Sequence, residues 1–428
     1  VTGDEDCLTL NIWRPRESPA ERLPVMVWLT GGGNHGLSGQ GSGSFGGVRY
    51  DGHLLAPQGV VFVSVNIRLG ALGFLAHPAL DAESPRKVSG NYGNLDQIAM
   101  LRWLRENVAA FGGDPQRIFL FGTSAGGGNI CALIASPLAR GLFQRAAMES
   151  SVPTGCEIPT LRDVEERTGR RVVNAVGCDR AGDVASCLRS KSTAELVSAV
   201  TAVTNVYPRT YGPNMDGYVF PDQPLKLISR GAHMQIPVIV GNTADETLGW
   251  VTGGTPIVDA ASYATEIEKV FGTAARDRIL AAYPLEKFAS PRDAFIQLTT
   301  DAQFTCRSRR VARTFANGQK PPVYRYLFNH AMANDERLKA ARANHTTEHA
   351  FLFAWQGRFL VIGFAAGEIP KIPLNLALLK GCDIVGVFWG AFITRDPAGH
   401  RANMADLVRW AAEGKLSAHV HSTYPLAE

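Results

Sequence analysis

Ser124 lies in a sequence context that can turn a serine hydroxyl into a nucleophile. The stretch RIFLFGTSAGGGNI (117–130) begins with strand-like apolar residues and reaches G-x-S-x-G at Gly122 to Gly126. Small residues then open a helix, which completes the strand, sharp turn and helix that this motif requires. Small neighbours let the backbone adopt a strained turn that presents the hydroxyl at the carboxyl edge of a sheet. The context predicts acyl transfer through Ser124.

A serine that attacks a carbonyl needs hydrogen-bond donors for the oxyanion that forms. The stretch TGGG (30–33) follows the apolar segment LPVMVWL (23–29). Gly32 and Gly33 have no side chain to block a substrate, so their N–H groups can face the site together with that of Ala125. We therefore predict an oxyanion hole from these three amides.

The serine also needs a base and an acid, which follow it along the chain in the order serine, acid, histidine. Asp245 and Glu246 come directly after the apolar stretch PVIVG (237–241), where site residues collect. Position alone leaves both acids open. It also leaves several histidines as candidates for the base: His330, His345, His349, His400, His419 and His421.

For one of these histidines, the sequence also allows a metal-binding role. His345, Glu348 and His349 spell H-x-x-E-H, which on a helix indicates a zinc site with a general base. A solvated helix face also accumulates histidine and glutamate. The spacing within this stretch does not decide between a zinc ligand and the base of a serine enzyme.

The elements around these residues alternate between strand and helix patterns, which predicts an α/β sheet. The helix predicted over 95–111 carries an apolar stripe that includes Trp103. The predicted strands are near-continuous apolar runs, as expected for strands covered on both faces: 23–29, 60–67, 117–121, 237–241 and 323–328.

A G-x-G-x-x-G match at Gly41, Gly43 and Gly46 does not indicate a dinucleotide site. Its glycines begin about a dozen residues after the preceding strand, and no helix opens on them, whereas the nucleotide motif needs strand, turn and helix in succession. We interpret the segment as a surface loop and expect no cofactor.

Composition restricts the partners of the protein. The 428 residues carry 43 basic and 39 acidic side chains, a balance that gives no strong attraction to nucleic acid. No apolar run reaches the roughly 18 residues of a membrane helix. The N-terminus VTGDEDC has no signal-peptide pattern, and the first residue is not Met. The sequence does not indicate an oligomeric state.

Three motifs give the chain a family resemblance. EDCLTLNIW (5–13), the region around the serine (93–127) and MDGYVFPDQP (215–224) resemble the type B carboxylesterase, lipase and cholinesterase family. HTTEHAFLF (345–353) is similar to the family pattern H-G-x-E-x-x-aromatic-x-F. The resemblance covers residues 4–353 and implies an α/β-hydrolase fold, in which helices flank a mostly parallel central sheet.

The resemblance also assigns the site residues. It implies Ser124 as nucleophile, Glu246 rather than Asp245 as the acid and His345 as the base, with Glu348 as its structural neighbour. The zinc interpretation also needs a downstream carboxylate in a helical scaffold, and nothing after residue 353 resembles one. We therefore expect no metal, with His349 a solvated or packing residue.

Several positions depart from the family pattern. Thr123 replaces a usual Glu, and Asn34 replaces a usual aromatic residue. The segment of 60 to 100 residues that precedes EDC in the family, with lid or choline-site residues and a partner for Cys7, is expected to be missing. We therefore expect short acyl esters as substrates. The family bridges the pair that resembles Cys178 and Cys187, whose separation of nine residues also permits a bridge.

Residues 354–428 resemble a different family. The segments RFLVIGF and DIVGVF and the helical stretch RANMADLVRWAAEG are similar to the C-terminal part of medium-chain quinone oxidoreductases. We expect a fusion, with an esterase body at 1–353 and an atypical C-terminal α/β segment at 354–428. Strand edges must be covered, so this segment is expected to dock on the body or pair between chains.

The leading hypothesis is a carboxylic-ester hydrolase that acts on small-molecule esters through an acyl-enzyme. The alternatives are a catalytically silent binding protein of the same family and an NAD(P)-dependent oxidoreductase suggested by the tail alone. The phosphate-gripping turn of that oxidoreductase family lies upstream of the matched segment and is not found here. A disulfide favours an exported protein, whether secreted or periplasmic, although no signal sequence is seen.

Overall fold

A computed structural model describes most of the chain before residue 355 and little after it. The described residues are 3–17, 21–41, 49–151, 156–201, 210–331, 339–354, 359–361, 384–386, 405, 409 and 413. The strands are β1 Leu10–Trp13, β2 Leu23–Leu29, β3 Val61–Val65, β4 Gly113–Thr123, β5 Arg145–Glu149, β6 Val238–Thr243, β7 Val323–Phe328, β8 Phe359–Val361 and β9 Ile384–Gly386.

Helices fill the connections between the strands. The α-helices are α1 Gly70–Phe74, α2 Pro78–Glu83, α3 Tyr92–Asn107, α4 Ala125–Ala135, α5 Leu161–Val164, α6 Arg170–Ala175, α7 Val184–Arg189, α8 Thr193–Ser198, α9 Pro224–Ser229, α10 Leu248–Thr252, α11 Ala260–Phe271, α12 Thr273–Ala282, α13 Pro291–Thr300 and α14 Cys306–Gly318. Short 3₁₀ or π turns extend several of them, including Val108–Phe111 after α3, and a separate π turn spans Ala350–Ala354.

Seven strands of the described chain form one mixed sheet in the order β1-β3-β2-β4-β5-β6-β7. Only β1 is antiparallel, and it pairs with β3. The remaining neighbours are parallel, so the carboxyl ends of β2, β4, β5 and β6 lie at one edge. In open parallel sheets this edge is where ligands bind.

The predicted strands are confirmed, with shifted ends. The segment predicted at 117–121 extends over Gly113–Thr123, and 60–67 shortens to Val61–Val65. The strands β1 and β5 were missed. The β5 sequence RAAME has no β-branched residue, so its conformation depends on hydrogen bonding to β4 and β6.

The main core lies between the sheet and the helices that cover it. Ile98, Leu101, Leu104 and Val108 of the predicted stripe are buried in the same cluster as the central strands. The assignment of Trp103 to this stripe was wrong, because its side chain is 39% exposed. Position 103 follows Leu101 by two residues, which on a helix points away from the buried face.

Four described cysteines form two disulfides. Cys178 and Cys187 are bonded, with their Cα atoms 5.7 Å apart, in agreement with the predicted pairing. A second bridge, Cys131 to Cys156, was not predicted and joins α4 to the segment after β5. Among the described residues, Cys7 and Cys306 are free thiols.

The chain divides into two units at Trp355, close to the predicted boundary at 353. In the second unit, β8 and β9 pair in parallel. The rest of the predicted tail, including the helix over 401–414 apart from three residues, lies outside the described residues, as do Gly43 and Gly46 of the glycine-rich loop. The expected fusion and docking stay predictions. No helix in the described part of the chain has the length and apolar content to cross a bilayer.

Candidate active site

Ser124 occupies a strained turn between β4 and α4. Its backbone angles are φ 54° and ψ −118°, and its N–H donates to the Glu149 carbonyl at 2.8 Å. A Cβ atom at Gly122 or Gly126 would overlap the Leu29 carbonyl oxygen at the end of β2. The glycines of G-x-S-x-G are therefore required because β2 passes directly behind the turn, and the strain at Ser124 is the kind found at functional sites.

The loop after β2 lies against this turn. A Cβ atom at Gly31 would stand 3.0 Å from Ser124 Cβ, and Gly32 has φ +81°. The carbonyl of Gly32 accepts from the N–H groups of His35 and Gly36, both at 3.1 Å. In the described part of the chain, the N–H groups of Gly32, Gly33 and Ala125 donate no hydrogen bond to another residue. Three donors beside a nucleophile can bind an oxyanion.

A pair of buried amides connects the loop to the helix that follows the serine. Asn129 Nδ2 donates to Asn34 Oδ1 at 2.8 Å, and Asn34 Nδ2 donates to Asn129 Oδ1 at 3.4 Å. Asn34 has φ 58°, and its carbonyl accepts from Gly70 N–H at 2.8 Å. Asn34 departs from the family's usual aromatic residue, and its amide here bonds the first turns of α4. Asn129 was not singled out from the sequence.

Glu246 and His345 form a buried hydrogen-bonded pair. His345 Nδ1 lies 2.5 Å from Glu246 Oε2, and their side chains are 8% and 0% exposed. Glu246 Oε1 accepts from the N–H of Thr243 at 2.8 Å, which fixes the carboxylate at the end of β6. With Nδ1 bonded to the carboxylate, Nε2 is the nitrogen that can exchange a proton with a hydroxyl.

Asp245, the other candidate acid, has a different contact. Its carboxylate pairs with Arg342, and its N–H donates to the carbonyl of Ala343 at 2.9 Å. Arg342 also bonds Asp293 at 2.6 Å. Asp245 therefore anchors the segment that carries His345, while the carboxylate of Glu246 contacts the imidazole.

Aromatic rings hold the imidazole of His345 from one side. The ring centroid of Trp250 lies 5.1 Å away, that of Phe304 lies 5.5 Å away, and the two aromatic rings stack on each other. Trp250 follows Glu246 by four residues and is 37% exposed. The imidazole of His345 thus lies at the rim of a partly open aromatic surface.

The structure joins some of the predicted site residues and leaves others apart. Glu246 and His345, the predicted acid and base, are in contact, and the serine turn adjoins the glycine loop. Among the described residues, no hydrogen bond joins Ser124 Oγ to His345. Such contacts are often long before substrate binds. Of the other histidine candidates, His330 is exposed beside Phe351, and His400, His419 and His421 lie outside the described residues.

Glu348 and His349 turn away from this pair into the interior. Glu348 Oε1 accepts from the Ser150 hydroxyl at 3.3 Å, and this contact connects its loop to the end of β5. Burial and the nearby carboxylates Glu246 and Glu149 raise the pKa of Glu348 well above its usual range. The side chain of His349 is fully buried, which excludes the expectation that it is a solvated residue. Burial, with a smaller effect of His345, lowers the pKa of His349 to about 3.

The fold and this geometry define an α/β-hydrolase with a serine turn at the carboxyl edge of its sheet. Residues 1–358 match the sequence profile of the carboxylesterase family. The chain belongs to this family.

Two characterised proteins illustrate the relationship. The chain is 36% identical to the fumonisin B1 esterase of Sphingopyxis macrogoltabida, over 85% of this chain and 64% of that protein. It is 33% identical to the para-nitrobenzyl esterase of Bacillus subtilis, over 82% of this chain and 67% of that protein. A solved structure of a PNB esterase superposes with a TM-score of 0.66 at 30% identity, covering 82% of this chain and 70% of that chain. The chain thus spans about two thirds of the length of these relatives.

Proposed function

We propose that the protein is a serine carboxylesterase that hydrolyses small-molecule esters, short acyl esters first, through an acyl-enzyme. The observation that carries the proposal is the buried contact of 2.5 Å between His345 Nδ1 and Glu246 Oε2, at the same sheet edge as the Ser124 turn. The names of two relatives, a fumonisin B1 esterase and a para-nitrobenzyl esterase, agree with this chemistry.

In the first half of the proposed reaction, Ser124 Oγ attacks the ester carbonyl while His345 Nε2 takes its proton. Glu246 keeps the imidazole oriented and stabilises the imidazolium that forms. The N–H groups of Gly32, Gly33 and Ala125 donate to the oxyanion, where each such donor typically contributes about 10²–10³ in rate. His345 then protonates the alkoxide that leaves, and Ser124 carries the acyl group.

In the second half, water attacks the acyl-enzyme and His345 accepts a proton from it. Collapse of the second oxyanion releases the carboxylic acid and returns the proton to Ser124 Oγ. Besides the attacking water, the proposed reaction uses side chains and backbone amides of this chain.

The test is hydrolysis of p-nitrophenyl esters from acetyl to decanoyl. Ser124→Ala is expected to lower kcat by at least about 10³-fold, because the nucleophile is lost and only binding and oxyanion contributions are left. An organophosphonate should add covalently to the unmutated protein and not to the variant, as read by intact mass.

Ser151→Ala provides the matched control, since its side chain packs against α4 near Gly127. It should retain the unmutated rate and the covalent adduct. Equal activity of Ser124→Ala and the unmutated protein would reject the proposal and favour a binding protein or a contaminating esterase. If kcat/KM were highest for the long acyl chains, the preference for short acyl esters would be wrong, while the assignment as a serine esterase would stand.

A further inference from the structure

Three side chains of metal-ligand type meet in the interior, outside the proposed catalytic residues. Glu149 is the last residue of β5. Glu348 and His349 lie in the loop that carries His345, a few residues after it. One ligand atom from each lies within 4.8 Å of the others. Glu348 and His349, two of the three residues of the H-x-x-E-H pattern that suggested zinc, thus lie near a third candidate ligand, Glu149.

The imidazole of His349 is held in one orientation. Its Nδ1 lies 3.2 Å from the hydroxyl of Tyr50, and its ring packs edge-on against Trp28 at 5.3 Å. The opposite nitrogen, Nε2, consequently points at the carboxylate of Glu149, with 4.0 Å between Nε2 and Oε2. That distance is too long for a hydrogen bond.

Two polar atoms of the cluster have no hydrogen-bond partner in the described part of the chain. They are His349 Nε2 and Glu348 Oε2, and both residues are more than nine-tenths buried. Buried polar atoms of folded proteins are nearly always bonded to protein, water or an ion, because leaving them unbonded is unfavourable. These two atoms face the same space as Glu149.

We propose that Glu149, Glu348 and His349 bind one divalent transition-metal ion, with Zn²⁺ the ion that fits the ligand set. Zinc takes imidazole nitrogen and carboxylate oxygen at about 2.0–2.2 Å, so two of its ligand atoms lie at most about 4.4 Å apart. The 4.0 Å between Nε2 and Oε2 falls within this limit. The three ligand atoms lie within 4.8 Å of one another, so bound zinc would draw them together to the shorter separations of a tetrahedral site.

The surroundings resemble the outer layer of a metal site. The Tyr50 hydroxyl holds the nitrogen of His349 that faces away from the cluster, and the Ser150 hydroxyl holds the second oxygen of Glu348. Such contacts orient ligands and tune their affinity for a metal. The charge of a divalent ion also balances two carboxylates that are close together in the interior.

The first measurement uses the full-length unmutated protein. It is expressed with added zinc, desalted and measured for metal content, and after removal of zinc with dipicolinate it is titrated with Co²⁺. We expect about one zinc per chain and a visible Co²⁺ absorption typical of low-coordinate nitrogen and oxygen sites. If the metal-free protein showed no Co²⁺ absorption at millimolar Co²⁺, the proposal would be overturned, and water would be the occupant of the space between the three side chains.

Variants locate the ion. His349→Leu and Glu149→Gln are expected to abolish stoichiometric binding, and Tyr50→Phe, which removes only the outer contact, to weaken Co²⁺ binding by about 10–100-fold. His233→Leu is the matched control, because His233 is another buried histidine but bonds Gln319. Unchanged binding in His349→Leu and Glu149→Gln, both checked for folding by thermal melting, would place the ion elsewhere. Loss of ester hydrolysis in Ser124→Ala with metal content retained separates this site from the catalytic one.

Discussion

At the scale of single residues, the two adjacent acids after β6 have different tasks. Glu246 contacts the imidazole of His345, whereas Asp245 contacts Arg342 and so anchors the loop from which His345 projects. The side chains of successive residues diverge at the end of a strand, so only one of two neighbouring carboxylates can face a given partner. This division of contacts makes the choice of acid testable.

Glu246→Gln is expected to lower kcat by about 10³–10⁴-fold with a smaller change in KM. An amide keeps the shape of the side chain but cannot stabilise the imidazolium, and loss of the triad acid has effects of this size in serine hydrolases. Steady-state kinetics with p-nitrophenyl acetate gives both constants.

Asp245→Asn is the matched control for that experiment, because it changes the neighbouring carboxylate and leaves the Glu246 contact with His345 in place. It is expected to reduce kcat far less, through loosening of the Arg342 anchor. If the two amide variants were equally impaired, or Asp245→Asn the more impaired, the assignment of Glu246 as the acid would be wrong.

At the scale of elements, the proposed mechanism requires a fixed separation between the loop after β2 and the helix α4. The proposed oxyanion donors and Ser124 can act together only at that separation. The Asn34 and Asn129 amides connect these two elements and are both buried. We expect the pair to position the donors, and displacement of about 1 Å at a reacting centre can cost about 10²-fold in rate.

Asn129→Ala and Asn34→Ala are each expected to lower kcat by about 10–100-fold. Each leaves the other amide buried without its partner, so the free energy of unfolding should fall by about 1–3 kcal/mol. The double variant should lose less stability than the sum of the single variants, since both remove the same interaction. Kinetics and urea unfolding measure the two effects.

The control is Asn94→Ala, which breaks a buried amide pair with Gln97 inside α3. It should lose stability without the same loss of kcat. A fall in kcat of equal size in Asn94→Ala would show that the effect of the Asn34 and Asn129 variants is a general loss of structure.

At the scale of the whole molecule, two disulfides constrain the body of the chain. Cys178 and Cys187 close a short loop next to a separate hydrophobic cluster formed by residues of α1, α6 and α7. Cys131 to Cys156 closes a loop of 25 residues around β5. Bridges restrict the unfolded chain, and the loss of entropy grows slowly with loop length.

Replacement of both Cys178 and Cys187 by alanine is expected to lower the free energy of unfolding by about 2–3 kcal/mol. Ester hydrolysis at 25 °C should be retained, because none of the proposed catalytic residues lies in this loop. Urea unfolding under non-reducing conditions gives the free energy. Cys7→Ala, which removes a free thiol, serves as control, and an unchanged midpoint in the double variant would mean that the bridge adds no stability.

Much of the site follows from local sequence. G-x-S-x-G between a strand and a helix predicts the turn at Ser124, because the backbone conformation depends on the small residues on either side. The five predicted strands carry enough β-branched and aromatic residues to be identified alone. In contrast, β5 has the sequence RAAME and becomes a strand only because β4 and β6 provide hydrogen bonds on both sides.

The sequence by itself indicated Ser124 as the candidate nucleophile, the glycine loop and the family, since each rests on residues adjacent in the chain. The tertiary structure decided which side chains meet across long separations. Glu246 reaches His345 across 99 residues, Asn34 reaches Asn129 across 95, and Glu149 at the end of β5 approaches His349 in the loop after His345. Spacing along the chain carries no information about such contacts, because strand order in the sheet, not sequence distance, brings them together.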